Sequence, residues 1–137
     1  MTNAYFSRGL IYTRKELYDN AITDFNKVIE LDPNNAFAYY NRGNIYYIKD
    51  LNYEAIADFD KAIELNPEYA LAYATRGFVY KYLEKKAEAM ADFERSLEFS
   101  QDPELNQQVK QLLEELKRQW LIMKRIYHFL RIERLTM

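Results

Sequence analysis

Gly9, Gly43 and Gly77 are the only glycines in the chain, and they stand 34 positions apart both times. The same offset carries Tyr5, Tyr39 and Tyr73, then Arg8, Arg42 and Arg76, then Tyr12, Tyr46 and Tyr80. Downstream it carries Ala21, Ala55 and Ala89, Asp24, Asp58 and Asp92, and Phe25, Phe59 and Phe93, with Pro33 and Pro67 closing the first two units. Seven columns in register over three units mean a stacked array in which each unit buries its neighbour's open face.

Each unit reads as two helices. Tyr39, Gly43, Tyr46 and Tyr47 form one helical stripe, and Ala55, Ile56, Phe59, Ala62 and Ile63 form a second. Lys49, Asp50 and Asn52 supply a polar turn between them. Asn66 precedes a proline and is pushed out of the helical region, so the second helix stops there, and Pro67 suits the first turn of the next helix. Gly43 and Ala55 allow two backbones to approach, with Tyr46 and Phe59 filling the space around them. With no glycine-rich phosphate loop nearby, the glycines read as packing residues.

This column set at period 34 resembles the tetratricopeptide repeat (TPR), whose pattern is an aromatic, Leu-Gly, Tyr, Ala, Phe and Pro. Units of about 2–35, 36–69 and 70–101 form a 1–101 array, and 102–137 follows as a C-terminal segment. Tyr5, Tyr39 and Tyr73 replace the family's Trp, Arg8, Arg42 and Arg76 replace its Leu, and Gln101 stands where a third Pro would fall. The resemblance implies an all-α, right-handed solenoid whose first helices line an inner groove for a protein or peptide partner. Carried over by position, that groove is Phe6 and Leu10 from the first unit, and Phe37, Tyr40, Asn41, Asn44 and Tyr47 from the second. Leu71, Phe78 and Tyr82 come from the third. Asn41 and Asn44 can bond both donor and acceptor of a peptide backbone. Some members of the family grip chaperone C-terminal carboxylates with two Lys, two Asn and an Arg. The matching positions here are Phe6, Leu10, Asn41, Leu71 and Thr75, so only one Asn of that clamp survives.

Each unit with Arg before Gly also has Asp before the Phe of its second helix. The expected result is a ladder of ion pairs: Arg8 with Asp24, Arg42 with Asp58, Arg76 with Asp92. Partly buried, such pairs act on register more than on net stability.

Asp102, Pro103 and Glu104 form a helix start, and no Gly or Pro follows. A stripe runs through Leu105, Val109, Leu112, Leu116, Trp120, Met123, Tyr127 and Leu130, with its heptad spacing slipping at Leu116–Trp120, which argues against a coiled coil. Residues 104–118 read as a cap on the last unit. Beyond them Leu121, Ile122, Ile126, Phe129 and Ile132 widen the apolar face, and Lys117, Arg118, Lys124, Arg125, Arg131 and Arg134 stand against Glu133 alone. Such a face can fill the chain's own groove, pack on a second copy or lie on an anionic membrane. Protein-on-protein burial is favoured over a membrane surface. A continuous helix would overshoot the array, so the reading is a homo-oligomer, a two-fold dimer through Trp120, Met123, Ile126, Tyr127, Phe129 and Leu130.

Chemistry finds little support. The chain has no cysteine and a single histidine, His128, which reads as a surface residue. No metal site, cofactor or catalytic group is expected. The net charge of −2 and the acidic repeats argue against nucleic acid. No signal segment or spanning stretch is visible, giving a cytoplasmic expectation. The functional expectation is an adaptor that binds a peptide or helix, with a self-assembling scaffold as the alternative.

Overall fold

The computed structural model describes residues 1–136, apart from the side chains at 132, 133, 135 and 136. The expected contributions of Ile132 and Glu133 to the tail therefore lie outside the described residues. The described residues form seven helices and no strand: α1 (Thr2–Arg14), α2 (Tyr18–Leu31), α3 (Ala36–Ile48), α4 (Asn52–Leu65), α5 (Ala70–Tyr82), α6 (Lys86–Phe99) and α7 (Pro103–Thr136). The all-α expectation holds. Helices pair within each unit, α1 with α2, α3 with α4 and α5 with α6, and each second helix packs on the next first helix.

The repeated glycines mark where a phenyl ring meets the first helix. A Cβ placed on Gly43 would lie 2.9 Å from Cε1 of Phe59, and one on Gly77 would lie 2.8 Å from Cε1 of Phe93. Only a residue without a side chain leaves room for that ring. Tyr46 packs against the Ala55 and Phe59 cluster as expected, and it also flanks the Arg42 guanidinium, which lies 5.7 Å from its ring centre. Neighbouring units then interlock: Ile45 is fully buried with Ala21 and Phe25, and Val79 is fully buried with Ala55 and Phe59.

The turns correct one expectation. Pro33 and Pro67 sit in the turns before α3 and α5, not in the helices' first turns. Asp32 and Asn66 hold those turns by accepting, through Oδ1, the backbone N–H two residues on. Asn35 then caps α3 by accepting from the Ala38 N–H, whereas Tyr69 at the same place cannot cap α5. Within each unit the turn between helices places Glu16, Asp50 or Glu84 at φ 60°, the left-handed region that disfavours a side chain.

α7 starts as expected: the Asp102 carboxylate accepts from the N–H groups of Glu104 and Leu105. Its packing corrects the expected stripe. Val109, Leu113 and Leu116 are buried against Ala74, Ala89 and Phe93, while Leu112 is only partly buried. With Leu113 in place, Val109, Leu113, Leu116, Trp120, Met123, Tyr127 and Leu130 alternate steps of four and three without a slip. α6 has 14 residues and α7 has 34. At 1.5 Å per residue they are about 21 and about 51 Å long. Trp120 borders an open surface recess that Ala87, Met90 and Ala91 of α6 also line. Beyond it the seam has no neighbour: Met123, Ile126, Tyr127, Phe129 and Leu130 are all about half exposed or more.

Candidate functional site

Two surfaces of the repeats carry the sequence-derived residues: the first-helix face and the charge ladder between helices. The ladder is built on local spacing. Tyr, Arg and Tyr at i−3, i and i+4 share one side of a first helix. The guanidinium of Arg8 therefore lies 5.7 Å from the centres of both Tyr5 and Tyr12, and Arg42 and Arg76 are flanked likewise by Tyr39 and Tyr46 and by Tyr73 and Tyr80. Across the pair of helices each Arg donates through Nε and Nη2 to both carboxylate oxygens of its Asp, at 2.7 and 2.8 Å. The Arg–Asp expectation is met in all three units. The flanking tyrosines were missed, although their spacing around each Arg was the available signal.

A second rung joins successive units. Arg42 Nη1 donates to Asn26 Oδ1 at 2.8 Å, and Arg76 Nη1 donates to Asp60 Oδ1 at 2.7 Å. The same column in the third unit is Glu94, and its Oε1 meets Lys117 Nζ of α7 at 3.2 Å. α7 thus takes the place of a next first helix. Hydrogen bonding to Asp58 pushes the Arg42 guanidinium up, against the opposing effect of its burial. For Arg76 burial is the largest influence and lowers it, but Asp92 and then Asp60 outweigh it and leave it raised. Burial pushes the Asp58 and Asp92 carboxyls up, opposed by their guanidiniums.

The expected groove residues divide by what they touch. Phe6 stands edge-on to Phe25 at 5.7 Å and Phe78 edge-on to Phe93 at 5.4 Å, so both serve the core, as does Leu10 in the cluster around Phe25. Phe78 also packs in the cluster that α7 closes. Phe37, Leu71 and Tyr82 are exposed, at 57%, 46% and 60%. Tyr40 and Tyr47 are half-buried and bridge units: Tyr40 is 5.0 Å from Tyr69, and Tyr47 is 6.5 Å from Tyr82. Tyr69 also meets Phe37 at 5.5 Å, and burial followed by Tyr40 pushes its hydroxyl pKa up. Tyr69 was not foreseen, because its column holds Asn35 in the preceding unit and no repeat pattern marks it. Asn41 Nδ2 donates to the Phe37 carbonyl at 2.7 Å, so one of its two amide hydrogens is already engaged. Asn44 makes no side-chain hydrogen bond among the described residues and stays available.

The described residues contain no cluster of three or more His, Cys, Asp or Glu placed to hold a metal ion. No described helix is long and apolar enough to cross a membrane.

Comparison with known proteins agrees with the repeat geometry. Family models described as TPR repeat or tetratricopeptide repeat match residues 9–50, 36–69 and 70–103. A search of curated proteins finds no match. Among solved structures, the first TPR domain of human RPAP3 is 30% identical with a TM-score of 0.74, over 86% of this chain and 96% of that one. The first TPR of Spaghetti (RPAP3), bound to the HSP90 peptide SRMEEVD, is 28% identical with a TM-score of 0.78, over 88% and 93%. The TPR2B domain of yeast Sti1, in a complex with pHsp70, is 25% identical with a TM-score of 0.77, over 86% and 97%. The repeat matches and the RPAP3 likeness establish a protein-interaction fold, and the chain belongs to the tetratricopeptide repeat family.

Proposed function

We propose that the chain works by binding, as an adaptor whose first-helix groove takes an apolar or amphipathic segment of another protein. One observation carries this reading. Phe37, Leu71 and Tyr82 are exposed on α3 and α5, which also carry the half-buried Tyr40 and Tyr47, and none of the three first helices contains Asp or Glu. Such a wall suits the apolar face of a helix laid in a groove. The relatives above include a domain bound to the acidic peptide SRMEEVD and another with pHsp70. Here Phe6, Leu10, Leu71 and Thr75 offer no positive charge to a carboxylate tail, so this groove favours apolar ligands over that class.

Titration calorimetry with two probes tests the reading: a helical peptide with Leu at i, i+3 and i+7, and the peptide SRMEEVD. The expected result is saturable binding of the first, weakened about tenfold by Phe37→Ala with Tyr82→Ala. Tighter binding of SRMEEVD, unaffected by those substitutions, would overturn it. The scaffold alternative rests on a different surface, the far half of α7.

A further inference from the structure

The seam of α7 is one continuous interface that is occupied over its first half and vacant over its second. Val109, Leu113 and Leu116 are buried, and Trp120, Met123, Tyr127 and Leu130 continue the same four-three spacing along the same side of the helix. A cation follows every second seam residue: Lys110 after Val109, Lys117 after Leu116, Lys124 after Met123 and Arg131 after Leu130. Such positions flank a helix–helix seam. The occupied half shows how they are used, because Lys117 meets Glu94 on the neighbouring α6. α6 also lines, with the small and flexible residues Ala87, Met90 and Ala91, the open recess that Trp120 borders. Residues 117–131 hold five Lys or Arg and no Asp or Glu.

We propose that the vacant seam, Trp120 to Leu130, docks an acidic amphipathic helix of a partner protein, which extends the α6–α7 interface by about three turns. It goes beyond the groove reading and is independent of it. The charge column selects the occupant. A second copy of α7, laid antiparallel in the seam, would set Lys124 and Arg131 against their own equivalents, where like charges oppose association. Laid parallel, it would bring its own repeats to the side that α5 and α6 already fill. A flat lipid surface laid along the seam would meet α6, which covers the first half of the same side of α7. A helix with Ala or Met at the seam and Glu on the flank, patterned as α6 presents Ala87, Met90, Ala91 and Glu94, meets each requirement. The Lys124 amine, 4.9 Å from the Trp120 ring centre, already stands over the anchor that such a helix would cover.

Trp120 is the only tryptophan and reports directly on occupancy. The full chain is titrated with a helical peptide that repeats Met-Ala-x-x-Glu-x-x over two heptads, and Trp120 emission and sedimentation are followed. Saturable burial of Trp120 in a one-to-one complex is expected. Lys124→Glu with Arg131→Glu should weaken it at least tenfold, and a Lys-for-Glu peptide should restore binding to that variant. Circular dichroism checks that the variant remains helical. Phe37→Ala with Tyr82→Ala should leave this binding unchanged, which separates its failure from failure of the groove reading. Three results would overturn the proposal: no binding, binding indifferent to the charge exchange, or Trp120 burial without peptide. In the third case, burial that rises with protein concentration assigns the seam to a second copy, and burial on phosphatidylserine vesicles assigns it to a membrane.

Discussion

The two halves of α7 share one pattern and have opposite surroundings. Leu116 is 1% exposed, and Met123, seven residues on at the equivalent seam position, is 60% exposed. Helix propensity and seam spacing are alike in both, so the difference comes from α6, which ends while α7 continues. The N-terminal end of the array repeats the lesson. Ile45 and Val79 are fully buried, but Ile11 in the same column is 48% exposed because no unit precedes it in the structure. The Arg76 side chain is 18% exposed and bonds two carboxylates, whereas that of Arg8 is 56% exposed and bonds one. A repeated residue therefore acquires its energetic role from its neighbour.

The largest contrast is expected on α7. Leu116→Ala removes a buried side chain and should cost about 3 kcal/mol in denaturant unfolding. Met123→Ala should change stability by under about 0.5 kcal/mol, as for other exposed sites. Equal losses at the two positions would show the far half to be covered in solution. Asp92→Ala comes next, because it takes two charge-assisted hydrogen bonds from the largely buried Arg76 guanidinium and leaves it Asp60 alone, and should cost about 2 kcal/mol. Asp24→Ala should lower the midpoint by much less, since water can reach Arg8. Similar losses would mean that exposure does not set the worth of these pairs.

Smaller still, Ile45→Val should cost about 1 kcal/mol and Ile11→Val close to nothing. The last test separates neighbour effects from local ones. Glu16, Asp50 and Glu84 share the same left-handed backbone. Glycine relieves that strain, so each substitution to Gly should raise stability by roughly 0.5–1 kcal/mol. The gain should be equal at Glu16 and Glu84 and smaller at Asp50, whose carboxylate accepts from Asn52 Nδ2 at 2.9 Å. A gain confined to the middle unit would make these turns depend on stacking as well.

Much of this protein was legible from its sequence because the repeat presents each contact three times. The period located the helix pairs and the Arg–Asp pairs, which lie within one unit and follow from helical spacing, whereas the ring that meets each glycine was decided by packing. The cap at Asp102 is likewise local, since one carboxylate satisfies two nearby N–H groups. Tertiary structure decided whatever depends on a second element's length or position. It chose Leu113 over Leu112 as the seam residue, because that choice rests on which side of α7 meets α6. It took Phe6, Leu10 and Phe78 into the core and left Phe37, Leu71 and Tyr82 exposed, and it brought Tyr69 beside Phe37 and Tyr40. It also joined Arg42 to Asn26 and Arg76 to Asp60 between units, and substituted Lys117 for the next Arg at Glu94. Spacing fixes the side of a helix on which a residue lies, but burial depends on where the adjacent helix stops.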